Sequence, residues 1–180
     1  MPEVGIPFIL AQIVSAVEFL FNIIGNAKLK TNKILLYNGI CSALSIIEYC
    51  LLGAWTGIAC CIAVIIRNIV FSRYEKKIPL YILLIFIAAA LILNIPTIHN
   101  VFDALLTLNI IVYATALWTR NVKAIKVVGL ITEIPCIIYN FANQAYVGVL
   151  KNIILSAVQI RCIYQLNKKK HNKRTERIRG

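Results

Sequence analysis

LYILLIFIAAALIL, residues 80–93, contains no acidic, basic or amide side chain. A helix of this composition has no polar face to turn toward water, so protein or lipid must surround it on every side. The remainder of the chain decides between the two. Its 180 residues are 60% hydrophobic and 14% charged, with a mean hydropathy of +0.80. Soluble domains lie near half apolar and a quarter charged, and a chain this short has too little interior to hide the surplus. Lipid is therefore the expected solvent, and about 20 apolar residues cross its hydrocarbon layer as a helix.

Outward from residues 80–93, basic and Gly/Pro breaks divide the chain into seven spans: Ile6–Ile24, Ile34–Leu52, Trp55–Phe71, Leu80–Leu93, Val101–Trp118, Val127–Ala142 and Val147–Tyr164. The N-terminal stretch lacks the basic region and small-residue cleavage site of a signal peptide, so it reads as a retained first span. Basic links (Lys28, Lys30, Lys33; Arg73, Lys76, Lys77; Arg120, Lys123, Lys126) alternate with non-basic ones at Gly53, Pro96–Asn100 and Asn143–Tyr146. Positive charge stays in the cytoplasm, which places the N-terminus outside and the C-terminus inside, as an odd number of spans requires.

The link order repeats. Residues 1–77 and 98–166 each read span, basic link, span, short neutral link, span, and Lys33 and Gly39 match Lys123 and Gly129 at one offset. Three spans reverse the side of the membrane, and a fourth (78–97) restores it. The expected fold is thus all-α and integral to the membrane, with two parallel three-helix bundles joined by a linker helix and a basic tail, 167–180, that is disordered.

Polar residues form stripes at helical spacing rather than scattering. A charge near the bilayer centre costs roughly 2.5–3.5 kcal/mol on insertion scales, so such groups face partners or a watery cavity. Depth counted from the outer helix ends pairs Glu18 with Arg67 and groups Lys151 with Glu48 or Asp103 near the outer side. Glu133 falls at mid-depth, two residues before Pro135, whose ring frees a backbone carbonyl in the preceding turn. Glu133, Asn68, Asn140, Asn152 and Gln159 are the candidate solute-binding residues. Blander readings stand beside these: Arg67 and Arg161 snorkelling to an interface, Glu48, Asp103 and Lys151 lying at the surface, and amides tying helices together.

Other chemistries find little support. The six cysteines (Cys41, Cys50, Cys60, Cys61, Cys136, Cys162) lie in apolar runs without metal-ligand spacing. His99 and His171 lie outside the core, there is no HExxH or Ser/His set, and one central carboxylate is not a catalytic pair, so no enzyme, metal or cofactor is expected. No nucleotide-binding loop is present to support ATP-driven transport. The tail NKKKHNKRTERIRG suits anionic lipid headgroups on the cytoplasmic side. It lacks the interleaved aromatics of a nucleic-acid surface. One chain holds both bundles, so a monomer suffices, and a homo-oligomer is equally compatible.

LLGAWTGIACCIAVIIRNIVFSR (Leu51–Arg73) and YNFANQAYVGVLKNIILSAVQIR (Tyr139–Arg161) resemble the YgjV family of bacterial inner-membrane proteins. The likeness runs from the first span to the seventh and centres on Gly53 and Gly57 leading to Arg67 and Asn68. It implies a multi-span protein of the bacterial inner membrane and supplies no catalytic residues. The layout is more remotely similar to the SWEET, PQ-loop and nicotinamide-riboside carrier families, which bind small solutes between parallel triple-helix bundles. This chain has no Pro-Gln dipeptide, and only Pro135 lies deep in a span, so their proline gate does not carry over. The functional expectation is facilitative or proton-coupled transport of a small polar solute through a midplane cavity. The alternative is a membrane scaffold or regulator whose buried polar groups serve assembly.

Overall fold

A computed structural model describes residues 6–28, 30–74 and 78–179, with side chains as far as Lys168. Among these residues seven α-helices follow one another: α1 Ile6–Asn26, α2 Thr31–Leu52, α3 Trp55–Ser72, α4 Leu80–Asn94, α5 Val101–Trp118, α6 Val122–Ala142 and α7 Tyr146–Arg179. A single 3₁₀ turn, Ile95–Thr97, follows α4, and no strand occurs among the described residues. Six of the helices are long and apolar enough to cross a membrane, and α6, which carries Lys123, Lys126 and Glu133, stands outside that set. The protein is an all-α membrane protein.

Local chemistry sets the boundaries. Asn121 accepts from the backbone N–H groups of Lys123 and Ala124. This N-cap starts α6 at Val122, five residues before the expected apolar start, and puts both lysines inside the helix. Gly53 ends α2 at φ 69°, a left-handed conformation that an L side chain resists, and the N–H of Ala54 turns back to the carbonyl of Tyr49 at 2.9 Å. The tail expected to be disordered continues α7 as backbone helix to Arg179. No proline interrupts residues 146–179, and Lys, Arg, Gln and Glu are good helix formers. Lys76 and Lys77 of the second basic link, and the side chains after Lys168, lie outside the described residues.

Packing follows the links. Helices α1, α2 and α3 pack as consecutive neighbours, as do α5, α6 and α7. The two sets meet where α1 touches α7 and where α3 touches α5, while α4 packs on α3 and α5. Helix α4 buries one stripe, Leu83, Phe86, Ala90 and Asn94, and leaves its other faces exposed. Polarity is inverted relative to a soluble domain. Leu84, Ile92, Ile134 and Ile153 are more than half exposed on the outside, whereas Glu18, Glu48, Arg67, Asn140 and Lys151 are buried. Such an exterior is compatible only with lipid.

At the end carrying the basic links, cations meet helix C-termini, where unpaired carbonyls concentrate negative charge. The Arg120 guanidinium donates to the carbonyls of Phe71 and Tyr74 at the end of α3. Lys126, 1% exposed, donates to the carbonyl of Asn26 at the end of α1 at 2.6 Å. Replacing Lys126 with Met keeps its volume but leaves that carbonyl with only the long contact from the Cys162 thiol at 3.5 Å. We expect Lys126→Met to cost about 1–3 kcal/mol, measured as a lowered unfolding midpoint of the purified protein in detergent.

Candidate functional site

A cavity of about 220 Å³ lies between the two helix sets. All six helices of the sets line it: α1 through Glu18, Asn22 and Asn26; α2 through Asn38, Ser45 and Tyr49; α3 through Gly57, Cys60 and Cys61; α5 through Asn109 and Tyr113; α6 through Gly129, Glu133 and Asn140; α7 through Lys151, Asn152 and Gln159. Helix α4 contributes nothing to it. Four of the five candidate solute-binding residues, Glu133, Asn140, Asn152 and Gln159, thus face one space.

The central charge pair is not the one that depth counting gives. Lys151 donates to Glu18 at 2.7 Å, and both side chains are more than nine-tenths buried. Counting from helix ends fails because α1 starts further out than α7. The backbone N–H of Val147 is bonded to the Gln12 side chain at 3.1 Å, which levels the first turn of α7 with the second turn of α1. From those levels Glu18 lies about 9 Å along α1 and Lys151 about 6 Å along α7, a gap the lysine stem spans. Glu48 is buried beside them, within electrostatic reach of both Lys151 and Glu18. Lys151 bonds Glu18 rather than Glu48, and Glu48 lies at a buried position rather than an interfacial one.

Arg67 is occupied elsewhere, so the Glu18–Arg67 pair is not formed. Its guanidinium donates to the Asn68 side chain at 3.2 and 3.0 Å and lies over the rings of Tyr113 and Phe86 at 5.3 and 6.0 Å. At 2% exposure it does not snorkel, whereas Arg161 is exposed. Asn68 leaves the central cavity as well. Its amide points at Gly39 of α2, 3.9 Å from where a Cβ would stand, and lines a separate groove between α2 and α3. Asp103, assigned to the outer cluster, serves the start of α5 instead. Its N–H donates to Asn100 and its carboxylate accepts from the His99 N–H, both at 3.0 Å. The Asn-x-x-Asp spacing is a capping-box pattern visible in the sequence.

Several site residues escaped the polar-stripe reading because they are tyrosines. Tyr49 of α2 and Tyr139 of α6 meet edge to face, with centroids 5.9 Å apart. The Tyr49 hydroxyl donates to Asn140 at 3.0 Å, and the Tyr139 hydroxyl accepts from the N–H of Gly57 at 2.9 Å. These contacts cross between the helix sets at the end opposite the basic links. Tyr49 and Tyr139 stand 90 residues apart, the offset of Lys33–Lys123 and Gly39–Gly129, and that signal was available. At the other end Tyr113 accepts from Asn38 at 3.4 Å. Among the described residues, no cluster of His, Cys, Asp and Glu suits a metal ion.

A family model described as a bacterial inner membrane protein, Imp-YgjV, matches residues 9–170. The chain belongs to the YgjV family. No curated protein and no solved structure matched it. In this YgjV chain, two glycines hold cavity residues at close range. A Cβ on Gly129 would stand 2.7 Å from the Gln159 amide oxygen, and one on Gly57 would stand 2.7 Å from the Tyr49 ring. The neighbours differ in freedom. Gln159 ends a flexible side chain whose amide donates to Glu133 at 3.0 Å, whereas the Tyr49 ring is pinned by Asn140 and Tyr139. Gly57→Ala should therefore cost about 1–3 kcal/mol, while Gly129→Ala should stay within about 1 kcal/mol and only displace Gln159 from Glu133. Unfolding midpoints of the two variants side by side test the contrast.

Proposed function

We propose that this YgjV protein moves a small polar solute across the bacterial inner membrane through the cavity between its helix sets. The observation that carries the reading is the composition of that cavity. Amides, carboxylates, an ammonium and tyrosines from all six helices of the two sets converge on it. Buried polar groups that only tied helices together would satisfy one another pairwise, yet Asn152 Nδ2, Asn109 Oδ1 and Gln159 Oε1 are buried without a protein partner. Its volume lies below the roughly 300–1,000 Å³ of pockets for drug-sized ligands, which suits a solute of a few heavy atoms.

In this reading the two sets are parallel repeats that rock against each other around the site. Exchanging the sets turns the α1–α7 contact into the α5–α3 contact, and both are present. The same exchange brings Tyr49 onto Tyr139, which meet between the sets. The Tyr49–Tyr139–Asn140 cluster closes one end of the cavity, and parting it opens that end. The basic links face the cytoplasm, with the N-terminus outside, and the net positive charge of the C-terminal tail suits anionic headgroups.

Water access tests the reading. In a variant with all six native cysteines replaced, Glu133→Cys and Asn152→Cys are expected to react with membrane-impermeant thiol reagents while the protein stays folded. Ala90→Cys, buried between α4 and its neighbours away from the cavity, serves as the unreactive control. Protection at both cavity positions would instead indicate a packed scaffold.

A further inference from the structure

The charges around the cavity do not balance. Glu18 and Glu133 line it and Glu48 adjoins it, against the single ammonium of Lys151. Lys151 lies within electrostatic reach of all three carboxylates, but its hydrogen bond goes to Glu18 at 2.7 Å. Two further buried cations stand at the edge of this space and bond neutral groups rather than carboxylates. Arg67 donates to Asn68 and lies over the rings of Phe86 and of Tyr113 on the cavity wall, with Nη1 unpartnered, and Lys126 donates to the carbonyl and side chain of the wall residue Asn26. Glu133 is left with a neutral partner, the Gln159 amide at 3.0 Å. A carboxylate in a low-dielectric interior strongly favours a cation or a proton beside it.

The polar groups around Glu133 suit a ligand. A carboxylate can only accept, so Gln159 must present its NH₂ to Glu133, which fixes the direction of its amide oxygen. Asn152, 4% exposed and on the cavity wall, keeps its Nδ2 without a protein partner. Asn109, on the facing helix, turns its Nδ2 to the Cys136 sulfur at 2.9 Å and leaves its carbonyl oxygen unpartnered. The site therefore combines one uncompensated carboxylate with amide groups able to accept and to donate. Tyr49 and Tyr113 add aromatic walls that favour cations over anions.

We infer that the solute carried in this cavity is a small organic cation, an ammonium group on a short chain bearing hydroxyl or amide groups, with Glu133 as its counter-ion and Asn109 and Asn152 meeting its polar end. This assignment rests on the reading of the cavity as a solute site and specifies its chemistry. An anionic solute would face three carboxylates with the one ammonium already bonded, and a purely apolar one would strand the amides.

A matched set of probes tests it: ethanolammonium chloride, ethylene glycol, sodium glycolate, and sodium and potassium chloride at equal ionic strength. The first three differ only in whether a hydroxymethyl group bears an ammonium methyl, a second hydroxymethyl or a carboxylate. Each is added to the purified full chain, up to about 50 mM, well above the millimolar range of weak ligands. The expected result is a saturable rise in unfolding temperature with ethanolammonium alone, abolished in Glu133→Gln. An equal rise with ethylene glycol or glycolate, an equal rise with the inorganic cations, no rise with ethanolammonium, or an undiminished rise in Glu133→Gln would overturn the assignment. If Glu133→Gln does not fold, the wild-type comparison still decides the charge preference. Proteoliposome uptake of radiolabelled ethanolamine separates this from the transport reading. Saturable binding without uptake would refute transport and leave the charge preference intact, whereas uptake of ethylene glycol in preference would do the reverse.

Discussion

A glutamate and a lysine held 2.7 Å apart between α1 and α7, both buried, are the constraint on which the structure depends. Neither charge is stable alone in such surroundings, because removing one partner of a buried pair typically costs about 3–5 kcal/mol. The pair sits where the first helix set meets the second, so satisfying two charges and closing the bundle are one event. It is the only ion pair among the described residues. The Val147–Gln12 hydrogen bond at the same junction sets the level of α7 against α1.

From this junction the cavity follows. Two three-helix sets that touch along α1–α7 and α3–α5 leave a space between them, crossed at one end by Tyr49 and Tyr139 and at the other by Asn38 and Tyr113. Polar groups that could not be placed against lipid line that space. Their surplus of carboxylates over ammonium groups gives it a sign. The nearby cations bond neutral groups rather than these carboxylates: Lys126 at the end of α1, Arg120 at the end of α3, and Arg67 on Asn68 against the rings of Phe86 and Tyr113. Positive charge is thus concentrated at the end carrying the basic links and negative charge in the middle.

Much of the fold is legible in the sequence because lipid simplifies the problem. Backbone hydrogen bonds must close within each span, so apolar runs such as Leu80–Leu93 can only be helices. The contrast between that run and its polar-striped neighbours separates α4 from the cavity helices. Helix levels are less legible. Apolar runs give lengths but not relative offsets along the membrane normal, so depth counting pairs Glu18 with Arg67 where the structure pairs it with Lys151. Arg67 shows a second limit, since a long side chain chooses among partners several ångströms apart and here takes Asn68 and two rings over a distant acid. Tyrosines are a third: hydropathy counts them as apolar, yet Tyr49, Tyr113 and Tyr139 carry hydrogen bonds across the cavity. Asp103 is legible as the third-position partner of the Asn100 N-cap.

The central claim is that Glu18 and Lys151 form one buried unit joining the helix sets. A double-mutant cycle in detergent micelles, with Glu18→Gln, Lys151→Met and the pair together, measures it most directly. The account predicts that each single change destabilises strongly and that the double variant recovers at least about 2 kcal/mol of the summed loss. Losses that add to within about 0.5 kcal/mol would contradict it.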